Sequence, residues 1–247
     1  MLWLMRNDGV KRISVWSGPR NISTALMYSF AQRNDTKVFD EPLYAYYLKN
    51  SNAKEYHPGA EDILSTMEND GDKVVEMMMN SSEKQVLFFK NMTHHLLNLD
   101  RSFMKGLTNV ILTRNPLEML PSFDKVIKNP TIDDVGYKLH IDLIEEFRKN
   151  NIDFVVLDSK SVLLNPEGVL RQLCEHIGIP FDENMLKWKP SHRKEDGIWA
   201  KYWYDNVHKS SSFTEYKPKT EPFPKHLKSL LQECLPYYKE LQKLALS

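Results

Sequence analysis

The residues Ile13-Ser14-Val15-Trp16-Ser17-Gly18-Pro19-Arg20-Asn21-Ile22-Ser23-Thr24, followed by the apolar run from Ala25 to Phe30, pass from a short strand through a turn into the start of a helix. Such a junction leaves backbone N–H groups without partners at the positive end of a helix dipole. Arg20, Ser23 and Thr24 add a guanidinium and two hydroxyls, so the natural ligand of the segment is a phosphate or sulfate. The spacing is not that of the nucleotide-kinase phosphate loop: Ser23 stands where the second Gly belongs and no Lys follows it, which argues against an ordinary ATPase or GTPase. Read alone, Gly18-Pro19 serves equally well as a plain turn and Ser23 as a helix cap.

Further along, short apolar runs recur at Val86 to Phe89, Val110 to Leu112 and Phe154 to Leu157, with a weaker one at Lys37 to Phe39. Each is too short for a helix. The segments between them read as helices at Ser23 to Gln32, Ala60 to Met79, Thr93 to Leu99, Pro116 to Val126, Asp133 to Asn150 and Pro166 to Ile177. Strands that are apolar throughout and separated by helices predict a parallel sheet covered on both faces. The expectation is one α/β domain over residues 1–247, a three-layer sandwich around a mostly parallel sheet. Residues 189–224, with Pro190, Gly197 and the aromatics Trp199, Tyr202, Trp203 and Tyr204, read as an irregular segment packed over that domain.

Composition narrows the partners. Lys plus Arg and Asp plus Glu number 33 each in the 247 residues, so no summed field favours nucleic acid or an anionic membrane, and any anion site is local. The expected ligands are small molecules or glycan-like acceptors; the sequence says nothing of oligomeric state. Cys174 and Cys234 lie far apart in helix-like segments without metal or redox spacing, which suits reduced thiols and a cytoplasmic setting. The apolar start of the stretch Met1 to Arg12 is too short for a signal sequence or a membrane span.

A second junction follows the strand Val110-Ile111-Leu112: Thr113-Arg114-Asn115-Pro116 and then a helix carrying Ser122. Ligands of open α/β sheets bind at the carboxyl ends of strands, and an Arg there offers a bidentate fork to a phosphate. With both junctions, the sequence resembles the sulfotransferase family, enzymes that use 3′-phosphoadenosine 5′-phosphosulfate (PAPS). Gly18-Pro19-Arg20-Asn21-Ile22-Ser23-Thr24 is similar to the family's 5′-phosphosulfate loop, with Arg20 in place of the usual Lys. Val110 to Phe123, with Arg114 and Ser122, is similar to its 3′-phosphate motif. Phe154 to Asp158 leading into Asn165-Pro166-Glu167 resembles a strand and helix start of the same fold.

The resemblance implies a fold like that of the P-loop nucleoside triphosphate hydrolases, PAPS as co-substrate and no metal. Gly18, Arg20, Asn21, Ser23 and Thr24 would hold the 5′ end, Arg114 and Ser122 the 3′-phosphate. Arg193, in Ser191-His192-Arg193-Lys194, would belong to a basic segment closing over the 3′-phosphate. Sulfuryl transfer needs a base and a cation. Glu41, in Phe39-Asp40-Glu41-Pro42, matches the Glu-Pro context of glycan and some bacterial members; Lys90 with His94 resembles the cytosolic small-molecule branch, though His94 stands four residues after Lys90. Glu41 is the preferred base and Lys90 the cation at the reacting group. Two other readings stay open: a nucleotide or small-molecule kinase, and a nucleotide-binding module of the same fold without turnover.

Overall fold

The computed structural model describes residues 8–246; the apolar start read above falls largely on residues 1–7, outside them. Five strands, β1 (Lys11–Ser17), β2 (Thr36–Asp40), β3 (Val86–Met92), β4 (Thr108–Thr113) and β5 (Phe154–Asp158), form one sheet in the order β2-β3-β1-β4-β5. Every pairing is parallel. All five expected strands are present, because short β-branched and aromatic runs can be buried from both sides only inside a covered sheet.

Alternation along the strands assigns the two faces. Ile13, Val15, Phe88, Val110, Leu112 and Leu157 point to one core, against α1 (Ser23–Phe30), α2 (Tyr44–Lys49), α3 (Ala60–Thr66) and the later pair α8 (Ser159–Leu164) and α9 (Pro166–Ile177). Trp16, Leu87, Phe89, Ile111 and Val156 point to the other. There they meet α4 (Gly71–Asn80), α5 (Pro116–Phe123), α7 (Tyr137–Lys149) and the C-terminal α12 (Lys228–Leu244). Three short helices complete the set: α6 (Ile132–Val135), α10 (Ala200–Trp203) and α11 (Asp205–His208). Among the described residues no helix is long and apolar enough to cross a membrane.

Where the helices depart from expectation, a local signal explains it. The stretch from Ala60 to Met79 is two helices, because Asp70 turns the chain and caps α4 through the N–H groups of Asp72 and Lys73. Asp133 to Asn150 is divided at Gly136, whose φ of +76° ends α6 in the left-handed region. Thr93 to Leu99 shrinks to one 3₁₀ turn, Thr93–Leu96, closed by Leu97 at φ +38°. Pro166–Ile177 is found as read, with Asn165 accepting from the N–H of Gly168 and Gly178 terminating it in the left-handed conformation. Both thiols are free and buried, Cys174 in α9 and Cys234 in α12.

The strand order places β1 between β3 and β4, with Ser17 paired to Met92 on one side and Leu112 on the other. The chain therefore leaves β1 at the point where successive connections diverge, which opens a crevice at the carboxyl edge. Gly18 turns there under α6: a Cβ on it would stand 2.7 Å from the backbone oxygen of Val135. Gly18→Ala is expected to cost about 1–3 kcal/mol, read as a lower denaturant midpoint, because backbone must move to admit the methyl group. An unchanged midpoint would show that this packing is loose.

Candidate active site

The register between β2 and β3 sets Asp40 opposite Lys90, so the residue after β2, Glu41, arrives beside the same ammonium. Lys90 is fully buried, and its three N–H donors have three acceptors. These are Asp40 Oδ1 at 2.9 Å, Tyr204 Oη at 2.7 Å, and Glu41 Oε1 in a short contact. Tyr204 in turn donates to Asp40, accepts from Trp199 Nε1 at 3.1 Å, and so ties the residues after Gly197 to the ends of two strands. Gly197 adds a backbone N–H to Asp40 Oδ2 at 3.0 Å.

One ammonium faces two buried carboxylates. Burial raises the pKa of Glu41 and Asp40 adds to the rise, while the Lys90 charge opposes it. Burial works against the charge on Lys90, but Asp40 and Glu41 outweigh it and hold that ammonium above its usual pKa. Glu41 also adopts a left-handed backbone, φ +44°, a strained state for a non-glycine residue, and it does so where its carboxylate meets Lys90.

Arg20 is the other left-handed residue at the crevice, φ +54°. Its Nε donates to Ser122 Oγ at 3.0 Å and its Nη1 to the backbone oxygen of Trp203 at 3.2 Å. Arg114, at the end of β4, donates from Nη1 to the backbone oxygen of Arg20 at 2.9 Å and pairs with Glu118 at 3.4 Å. Asn21 holds the loop to β4 through the backbone oxygen of Leu112 at 3.1 Å and receives the N–H of Ser23 at 3.1 Å. No acidic residue occupies the first turn of α1, which leaves that helix end positive. Burial, and then the neighbouring Arg114, disfavour the charge on Arg20. Two guanidiniums held close together in this way are relieved by an anion.

Two hollows meet at Arg20. A small cavity of about 90 Å³ is lined by Arg20, Ser23, Thr24, Glu41, Lys90 and His94 among others. A cleft of about 680 Å³ lies outside it, lined by Arg20, Asn21, Thr24, Arg114 and Ser122 from the two sequence junctions, and by Lys217 and Lys219 from beyond α11. Trp203 and Tyr204 border both. Lys217 and Lys219 were missed in the sequence because two lysines beside a Pro look like any exposed coil. Burial and then the Arg114 charge push the Lys219 pKa down, against the smaller opposing effect of Glu221 and Glu118.

A third hollow, of about 730 Å³, also reaches His94 and is lined by Tyr47, Tyr56 and Asp134 among others. His94 is shared with the small cavity, and its Nδ1 is buried without a partner. Burial lowers the pKa of His94 to about 3 and that of His57 to about 4, so both are neutral near pH 7. The tyrosines of α2 are largely spent on this cluster. Tyr44 donates to or accepts from His57 Nδ1 at 2.7 Å and stacks on His95 at 4.8 Å, and Tyr47 stacks on His95 at 4.7 Å. Tyr56, half exposed, lines this third hollow and donates to Asp134 at 3.1 Å.

The expected site residues thus divide. Glu41, Lys90, His94, Arg20, Asn21, Ser23, Thr24, Arg114 and Ser122 line the two joined hollows. Gly18 serves the turn beneath them. Arg193 lines neither of these hollows: it pairs with Glu195 at 3.2 Å and lies 5.6 Å over the ring of Tyr28 in α1. The four-residue turn it opens, closed by the Asp196 N–H on the Arg193 backbone oxygen, carries the chain on to Gly197, whose N–H meets Asp40.

Residues 11–245 match the family model of a sulfotransferase domain. Two Arabidopsis thaliana proteins, described as branched-chain-amino-acid aminotransferase-like proteins 2 and 1, are 38% and 39% identical over 232 residues, or 93% of this chain. The chain spans 41% of the length of each. Among solved structures, the sulfotransferase domain from the Synechococcus PCC 7002 olefin synthase superposes with a TM-score of 0.60 at 14% identity, over 94% of this chain and 98% of its own. The sulfotransferase domain from the curacin biosynthetic pathway gives a TM-score of 0.56 at 15% identity, over 92% and 98%.

Proposed function

This chain belongs to the sulfotransferase domain family and has its P-loop-like α/β fold, and from that premise we propose that it transfers a sulfuryl group from PAPS to a hydroxyl or amine of a small-molecule or glycan-like acceptor. The observation that carries the reading is the meeting of Arg20, Ser122 and Arg114, about a hundred residues apart in sequence, where the outer cleft narrows onto Lys90 and Glu41. The outer cleft offers the cations and hydroxyls a bisphosphorylated nucleoside requires. Trp203 and Tyr216 supply flat faces along its wall. The 5′ end would be held by the loop from Gly18 to Thr24 and the start of α1.

Within the small cavity, Glu41 is the group suited to take the acceptor's proton. Its pKa is raised toward the working range of a general base, whereas that of His94 is pushed down to about 3 and makes it a weak base. His94, neutral, forms part of the wall beside it. Lys90 has no spare donor while Glu41 is ionised. On gaining the proton, Glu41 releases its hold on the ammonium, and a donor becomes available to the oxygen that carries charge as the sulfuryl group departs. Arg20, at the junction of the two hollows, neutralises the transferring group itself.

Calorimetric titration with adenosine 3′,5′-bisphosphate tests the reading, with ATP and magnesium as the comparison. Arg114→Ala is expected to weaken bisphosphate binding by about 2 kcal/mol or more, roughly thirtyfold, the value of a charge-assisted fork. Preference for ATP would favour a kinase. Tight bisphosphate binding without transfer to any acceptor would favour a module that has lost turnover.

A further inference from the structure

His192, Asp196 and His208 stand outside both hollows, with their ligand atoms within 4.8 Å of one another. The Asp196 side chain is only 5% exposed, and its two oxygens are unequally served. Oδ2 accepts from the Tyr28 hydroxyl at 2.7 Å and the Arg193 N–H at 2.9 Å, and lies 3.0 Å from Nε2 of His208. Oδ1 is buried and has no partner. A bare carboxylate oxygen in that setting calls for a cation or a donor. An Asp196–His208 pair alone leaves Oδ1 bare and gives no reason for the His192 ring to sit 3.8 Å from that of His208.

Two imidazoles and one carboxylate suit divalent transition ions and are too rich in nitrogen for calcium or magnesium. We infer that His192, Asp196 and His208 form a site for a divalent transition-metal ion such as zinc, which pins the segment carrying Gly197, Trp199 and Tyr204 onto Asp40 and Lys90. Asp196 supplies Oδ1; the Tyr28 hydroxyl and the Arg193 N–H hold the other oxygen as outer-shell contacts, the usual support of a ligating carboxylate. Metal–ligand bonds of about 2.0–2.2 Å require the three groups to close in, and exposed His192 is free to do so. Glu195 offsets the nearby charge of Arg193. The ion takes no part in transfer, so the site stands or falls independently of the proposed reaction.

The test uses the full chain without a histidine tag, stripped with chelator and titrated with zinc by calorimetry and with cobalt(II) by visible absorption. One equivalent of ion is expected, with d–d bands from cobalt. His192→Ala and His208→Ala should each weaken binding by at least the roughly 10–100-fold that even an outer-shell loss costs. His226→Ala, which removes an exposed His paired with Asp124, should not. His192 is exposed and its loss leaves the fold intact, so a folded His192→Ala that binds zinc as the wild type does overturns the site, as does the absence of a stoichiometric ion. Proteolysis within residues 189–204 should slow on adding zinc to the wild type but not to His192→Ala; equal cleavage with and without zinc in the wild type overturns the pinning.

Discussion

Lys90→Met is expected to destabilise the protein by about 3–5 kcal/mol and to abolish transfer, because it removes the single cation from a buried site that holds two carboxylates. Asp40 and Glu41 are 8% and 5% exposed, and water cannot replace the ammonium. Methionine fills the volume and meets the Tyr204 ring, but supplies no donor to either carboxylate or to the Tyr204 oxygen. The carboxylates then take up protons or move apart, and the Gly197 and Tyr204 contacts that rest on Asp40 loosen with them. Urea unfolding measures the first effect and single-turnover transfer the second. A variant within about 1 kcal/mol of wild type would mean that the two carboxylates are not both held by this ammonium.

Glu41→Gln should separate chemistry from stability. Its kcat is expected to fall by roughly 10²–10⁴-fold, the usual contribution of a general base, with bisphosphate affinity unchanged. Stability should hold or rise, because the Lys90–Asp40 pair remains neutral overall while the second carboxylate, which burial and Asp40 both disfavour in its charged form, is gone. The pH dependence carries the same sign. A base works deprotonated, and burial raises the Glu41 pKa, so the wild-type rate should climb with pH along a limb above the usual carboxylate range, and the Gln variant should lose that limb. Retention of both kcat and the limb would move the base to another group.

Much of this architecture is legible in the chain because it rests on local chemistry. The apolar runs at 13–16, 86–89, 110–112 and 154–157 leave only a covered sheet as their home, and even the weaker 37–39 run proves to be a strand. Arg20 and Arg114 stand out because each follows a strand and precedes a helix start. Arg193 shows the converse: its basic neighbours look like a phosphate clamp, while in the fold its guanidinium lies against Glu195 and Tyr28. Tyr44 and Tyr47 of α2 stack on His95, a meeting of distant segments that no local spacing announces.

By itself the sequence determined the five strands, their parallel sense, the two strand-to-helix junctions at Arg20 and Arg114 and the candidate pair Glu41 and Lys90, since strand propensity, turn chemistry and helix caps act over a few residues. Only the tertiary structure decided that Asp40 and Tyr204 share the Lys90 ammonium, that Lys217 and Lys219 join Arg114 at the outer cleft, and that Arg193 turns away. The physical reason is range. A buried ammonium is satisfied by whichever acceptors the sheet register and the returning chain deliver, and no spacing within 50 or 114 residues of sequence encodes that meeting.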